Sequence, residues 1–149
     1  MTLRHTVPAL LLIALAPVLA AAQTSTPVAR AFEHYEAIRV VLAQDKMDNI
    51  RTHATALAPL AGQLVGKNAQ ASAERVAMAK TINDVRDEFA VLSVALVPKF
   101  LLAKLPGVRG FMCPMKKDAY WVQRGTALEN PYYGKAMLAC GGEILVAAR

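Results

Sequence analysis

Residues 45–64, DKMDNIRTHATALAPLAGQL, show the clearest periodicity in the chain. Apolar side chains recur there at every third or fourth position, from Met47 to Leu64. That spacing places them on one stripe of an amphipathic helix. Asp45 is the expected N-cap, and Pro59 is expected to kink or shorten the helix. The stretch therefore predicts a helix that buries Met47 with the rest of the stripe.

Two similar stripes predict helices over residues 29–44 and 83–104, and a weaker helix is expected over 73–82. The first stripe comprises Phe32, Tyr35, Ile38 and Leu42, and the second comprises Val85, Phe89, Leu92 and Leu96. The polar stretch 67–72 is expected to separate the second helix from the third, and Pro98 to kink the fourth. Four short amphipathic helices joined by short loops are buried most simply as an antiparallel bundle. We therefore predict an all-α fold built on an antiparallel four-helix bundle.

The composition changes sharply after this predicted bundle. Residues 111–141 contain both cysteines, the single tryptophan, three of the four tyrosines and three of the six methionines. Gly, Pro and Asn interrupt any long helix there, so we expect an irregular segment with room for a short hairpin. One domain of residues 30–149 is predicted, with the bundle over 30–104 and a Cys/Met/aromatic-rich tail over 105–149.

The first 22 residues have the parts of a secretory signal peptide: a basic start, an apolar run over 7–19, and small residues at Ala20–Ala22. The apolar run is marginal for a membrane span, which needs about 20 residues. We expect cleavage, release into the periplasm without stable membrane insertion, and a disordered lead-in over 23–29. The remaining chain carries 16 Lys and Arg against 11 Asp and Glu. Export argues against nucleic acid as the partner of that charge.

Two short sulfur clusters are the candidate site: Met112-Cys113-Pro114-Met115 and Met137-Leu138-Ala139-Cys140-Gly141. Thiolates and thioethers are soft donors that select ions such as Cu(I) and Ag(I). Nearby Lys and Arg residues are expected to help keep the thiols ionised. The predicted ligands are Cys113 and Cys140, then Met115 and Met137, with Met112 in reserve.

A structural disulfide between Cys113 and Cys140 is the alternative, because exported proteins meet an oxidising compartment. In that case Met115 and Met137 would be flexible core filler. A redox-switched site could also alternate between the two states. Three aromatic residues would either wall the metal site or simply pack: Trp121, Tyr132 and Tyr133.

Other chemistry has little support in the sequence. His34 and His53 lie outside the sulfur clusters, and we expect each to be a half-exposed surface residue rather than a metal ligand. The chain has no Cys-x-x-Cys, no haem-attachment motif and no His-Glu-x-x-His motif. We therefore predict that the protein is not an enzyme.

The tail also resembles a known family. Its string Asn-Pro-Tyr-Tyr-Gly over residues 130–134, followed by Met-Leu-x-Cys-Gly over 137–141, is similar to the domain of unknown function 3347 family. Cys113-Pro114-Met115, Trp121 and the Arg86-x-x-Phe89-x-x-Leu92-Ser93 helix fit the same pattern, so the resemblance covers roughly residues 32–144. Two features depart from the family: a basic, apolar linker over 98–110, and Ala139 where a polar residue is frequent.

The resemblance implies a helical bundle and metal handling outside the cytoplasm. The family occurs as free-standing exported proteins and also fused to periplasmic adaptor subunits of copper and silver efflux pumps. In this chain Cys113, Met115, Met137 and Cys140 occupy the family's sulfur positions. The sequence thus predicts a periplasmic Cu(I)-binding protein, also suited to Ag(I), that buffers metal or passes it to an efflux system. The alternative is a metal-free interaction module, stabilised by the disulfide, that docks on an efflux adaptor or membrane partner.

Overall fold

A computed structural model describes residues 25–144, and the signal peptide predicted for residues 1–22 lies outside them. No helix within that range is both long and apolar enough to span a bilayer. The four helices are α1 (Pro27–Ala43), α2 (Ile50–Leu64), α3 (Lys67–Met78) and α4 (Ile82–Leu102). Strands β1 (Val108–Met112), β2 (Tyr120–Arg124) and β3 (Gly142–Glu143) follow, with a 3₁₀ helix over Gly134–Met137 between β2 and β3.

Helix α1 begins earlier than predicted. The Thr26 hydroxyl accepts a hydrogen bond from the Ala29 amide (3.3 Å), which caps the first turn. Pro27 takes the first helical position, where its missing N–H costs nothing and its fixed φ suits the helix. Residues 27–29, which were predicted to belong to a disordered lead-in over 23–29, are therefore helical, and residues 23 and 24 lie outside the described part of the chain.

Helix α2 starts later than predicted, and two assignments near its start are wrong. Asp45 does not cap the helix, because it has a φ of 58° and its carboxylate binds Arg86 and the Lys135 amide instead. Met47 is 39% exposed and does not belong to the core. Pro59 lies inside α2, which continues to Leu64.

Helix α3 covers the stretch that was predicted to be a polar separator. It runs over Lys67–Met78 rather than 73–82, because Ala69, Ser72, Ala73 and Val76 form a buried stripe across the apparent boundary. Most of these residues are small and only weakly apolar. Because charged and amide side chains stand between them, the helical spacing is difficult to recognise in the sequence.

The all-α assignment is wrong, because the tail folds into a three-stranded antiparallel sheet with strand order β2-β1-β3. Phe111 of β1 lies opposite Trp121 of β2 and opposite Glu143 of β3. The segments VRGFM and YWVQR are short, but their β-branched and aromatic residues suit paired strands. Gly110 lies inside β1, where a side chain would press on Ile144 and Leu101. The sheet is thus more than the short hairpin allowed by the prediction.

The sheet and the helices share one hydrophobic core. Each helix packs against its neighbours in the chain, and the sheet packs on α4 and α1. The Tyr35 ring of α1 stacks on Phe89 of α4, with 4.7 Å between ring centroids. Phe89 contacts Tyr132 (6.2 Å), and Tyr132 contacts Trp121 edge-on (6.1 Å). This chain of aromatic contacts fixes the tail to the bundle.

Candidate functional site

The pairing of β1 with β3 brings the two cysteines side by side. Met112, the last residue of β1, lies opposite Gly142, the first residue of β3. The antiparallel register therefore places Cys113, the residue after Met112, opposite Gly141, and Cys140 directly precedes that glycine. Both are free thiols. Cys113 is 1% exposed, whereas Cys140 is partly exposed.

The two thiols influence each other directly. Partial burial raises the pKa of Cys140, and Cys113 raises it further through its charge and through a hydrogen bond between the two side chains. The prediction that nearby basic residues help to ionise the thiols is therefore wrong for Cys140. Two of those residues are engaged elsewhere, since Lys116 binds Asp87 (2.5 Å) and Arg109 pairs with Glu143.

Asn130 holds the backbone around Cys140, and sequence analysis did not single it out. This fully buried residue donates from Nδ2 to the Cys140 carbonyl (2.7 Å) and from its own amide to the Leu138 carbonyl (2.8 Å). Its Oδ1 accepts a hydrogen bond from the Tyr132 amide (2.8 Å). Its place in the Asn-Pro-Tyr-Tyr-Gly string is the signal that could have revealed this role, because Asn before Pro often organises a turn.

Two of the three predicted wall residues lie beside the cysteine pair. The Trp121 ring stacks on Phe111 (5.5 Å), and a Cβ atom at Gly141 would come within 2.6 Å of it. Burial raises the pKa of Tyr132 well above its usual value, and the neighbouring Cys113 contributes to that increase. Tyr133 is only half-buried, and its hydroxyl donates to the Met115 carbonyl (3.0 Å), joining the two sulfur-bearing loops.

The three methionines lie at the surface. Met115 is 59% exposed, Met112 38% and Met137 36%, so the suggestion that Met115 and Met137 fill the core is wrong. Strand alternation directs Met112 to the face opposite Cys113. The Cys140 amide donates to the Met137 carbonyl (2.9 Å), which keeps that methionine one turn from the thiol. Within residues 25–144, no group of three or more His, Cys, Asp or Glu side chains could hold a metal ion, so two thiols would need thioethers or external ligands to exceed two-coordination.

Charged side chains of the bundle anchor the tail. The buried Arg39 guanidinium binds Glu36 (2.8 Å) and donates to the Glu129 carbonyl (3.0 Å). Arg86 donates to the Pro131 carbonyl (2.9 Å) and to Asp45 (2.6 Å). Hydrogen bonds to charged groups are about twice as strong as neutral ones, so these contacts fix the loop that carries Asn130. The basic, apolar linker noted over residues 98–110 is part of the folded structure, because it comprises the end of α4, a turn and the start of β1.

A second pair of potential ligands lies on the bundle. His34 on α1 and His53 on α2 are both half-buried, and their Nδ1 atoms are 3.2 Å apart. Sequence analysis treated them as single surface residues. Their spacing carried no signal of this contact, because His34 lies nine residues before the end of α1 and His53 only three residues after the start of α2.

No family model, curated protein or solved structure matches the chain. The resemblance to the domain of unknown function 3347 family therefore stays a prediction.

Proposed function

We propose that the protein binds a soft monovalent metal ion, Cu(I) or Ag(I), through Cys113 and Cys140. The adjacency of two free thiols at the β1–β3 junction carries this proposal. Soft sulfur donors favour Cu(I), which accepts as few as two ligands. Exposed Met115 and Met137 are available as additional thioether ligands from the flanking loops.

The unequal exposure of the two thiols favours transfer of metal over permanent storage. Cys113 is buried next to Trp121 and Tyr132, which limits access of water and oxidants from that side. Cys140 is partly exposed, so a thiol or thioether of another protein can attack the metal there. Ligand exchange would then proceed through Cys140 while Cys113 still holds the ion.

Proton competition provides a characteristic signature of this site. Metal binding requires the thiols to lose their protons, and Cys140 has a raised pKa. Affinity for Cu(I) should therefore rise with pH throughout the neutral range, with release of protons on binding. A site built from methionine alone would show no such dependence, because a thioether carries no proton.

The direct test is competition of reduced protein with a chromogenic Cu(I) chelator. We expect nanomolar or tighter affinity, with a loss of at least roughly a hundredfold in the Cys113→Ser, Cys140→Ser double variant, since even outer-shell changes cost tenfold to a hundredfold. Met115→Leu and Met137→Leu test the thioethers, and Met78→Leu is the matched control because Met78 is a 63% exposed methionine on α3. Unchanged affinity in the double cysteine variant would refute the proposal.

The biological setting is a further part of the proposal. The signal peptide predicted for residues 1–22 and the family resemblance support periplasmic buffering of copper or its delivery to an efflux system. The same thiol adjacency also favours the second candidate, an interaction module locked by a Cys113–Cys140 disulfide. Thiol titration and elemental analysis of protein isolated from the periplasm without reductant separate the two, since free thiols with bound copper favour metal binding and oxidised cysteines without metal favour the module.

A further inference from the structure

His34 and His53 form a direct contact between two half-buried side chains on neighbouring helices. Their Nδ1 atoms are 3.2 Å apart, and the rings are inclined at 48° rather than stacked. One ring therefore carries a proton on Nδ1 and the other accepts it. The contact brings the same atom of both rings together between α1 and α2.

From this geometry we propose a second metal site, in which His34 and His53 bind one divalent ion such as Zn(II) or Cu(II) through their Nδ1 atoms. With metal–nitrogen bonds of about 2.0–2.1 Å, nitrogens 3.2 Å apart subtend roughly 100–106° at a shared ion, close to the tetrahedral angle of about 109°. The separation of the two nitrogens is thus compatible with a tetrahedral ion bound to both rings. The site uses no residue of the cysteine pair.

The chemical environment suits a divalent ion of intermediate softness. Imidazole nitrogen prefers zinc, copper and nickel, whereas paired thiols prefer Cu(I). Burial lowers the pKa of His34, and His53 lowers it further while Glu33 acts in the opposite direction. This lowering favours the neutral form of His34, which is the form that coordinates metal. With two protein ligands, the remaining positions are left to water or an incoming ligand.

Binding changes the protonation pattern in a defined way. Before binding, one ring holds its proton on Nδ1 and donates it to the other ring. When the ion occupies both Nδ1 atoms, that ring must carry its proton on Nε2 instead, and water carries the proton between the two nitrogens. The total number of protons on the pair is unchanged. Nitrogen-15 NMR of the imidazole rings reports this change of tautomer.

The test is titration with Zn(II) of the protein without its predicted signal peptide. Both cysteines are replaced by Ser in this protein so that thiols cannot bind the ion. We expect one equivalent of Zn(II) to bind, to convert the ring that carries its proton on Nδ1 to the Nε2–H tautomer and to raise the melting temperature. His34→Gln and His53→Gln should each weaken binding by about tenfold or more. Thr52→Gln, at an exposed position beside His53, is the control and should bind as tightly as the parent.

Two results would overturn the site: equal Zn(II) affinity in both histidine variants and the parent, or binding that leaves both ring tautomers unchanged. If the Ser background does not fold, the same titration is made on the native sequence, where ring tautomers still separate imidazole from thiolate binding. Because Cu(I) competition reports on the thiols alone, failure of this site and failure of the proposed function are distinguishable.

Discussion

The cysteine pair and the histidine pair are built in opposite ways. The histidines sit on two helices joined by a short loop, and helix packing alone brings them together. The cysteines sit in the loops next to β1 and β3, and their meeting depends on strand register, Asn130 and the anchoring arginines. Rigid helices therefore suit a fixed two-nitrogen site, whereas the cysteine pair depends on many specific contacts between tail and bundle. Substitutions that loosen the tail should therefore disturb the cysteine pair and leave the histidine pair in place.

The largest difference in response between the cysteine pair and the histidine pair is expected from Gly134→Ala. Gly134 has a φ of 53°, and a Cβ atom there would lie 1.9 Å from the Asp45 carboxylate and 2.6 Å from Arg86. Strain of this kind costs on the order of 1–3 kcal/mol, and urea unfolding should show a loss of stability in that range. Displacing the 3₁₀ helix should also weaken Cu(I) binding, while the histidine contact persists.

Gly142→Ala is the matched control for this change. A Cβ atom at Gly142 meets open space, so the substitution should leave stability and Cu(I) binding close to those of the parent. If both variants lose the same stability, the junction of Gly134 with Asp45 and Arg86 does not anchor the tail.

A smaller effect is expected at Asp45, which joins the tail to the bundle. A hydrogen bond from Arg86, then one from the Lys135 amide, lowers the pKa of Asp45 below its ordinary 3.8. Because the folded pKa is depressed, this contact stabilises the protein above pH 3.8 and is lost as the pH falls through the lower folded value. At pH 6, about two units above the ordinary pKa of 3.8, Asp45→Asn should therefore melt at a lower temperature than the parent. The melting temperatures of the variant and the parent should converge in stronger acid. A difference that is constant with pH would contradict the ion pair.

The smallest effect distinguishes the two cysteines from each other. Cys140 should react with iodoacetamide before the buried Cys113, with a pH midpoint above the ordinary 9.0 of a cysteine thiol. Cys113→Ser should bring that midpoint down, because the raised pKa of Cys140 depends partly on the Cys113 thiol. Peptide mapping by mass spectrometry measures both rates. Faster modification of Cys113 in the folded protein would contradict the burial that defines the site.

Local periodicity predicted the helical core well and the tail poorly. The stripes of α1 and α4 placed Phe32, Tyr35, Val85 and Phe89 in the core, and all four are fully buried. Asp45 was assigned as a helix cap from its neighbours alone, but a residue of the distant tail uses its carboxylate. The sheet was missed for the same reason, since strand β3 is two residues long and exists only because β1 lies beside it. Sulfur chemistry selected Cys113 and Cys140, whereas Asn130 and the histidine contact required the three-dimensional arrangement.

The indole of Trp121 lies so close to Gly141 that no larger residue fits between them. A saturation library at position 141 should thus return only glycine among well-folded clones, although the position carries no ligand. Transplanting the two thiols into another scaffold therefore requires that the indole and this glycine be transferred with them, because Gly141 directly follows Cys140 and packs against Trp121.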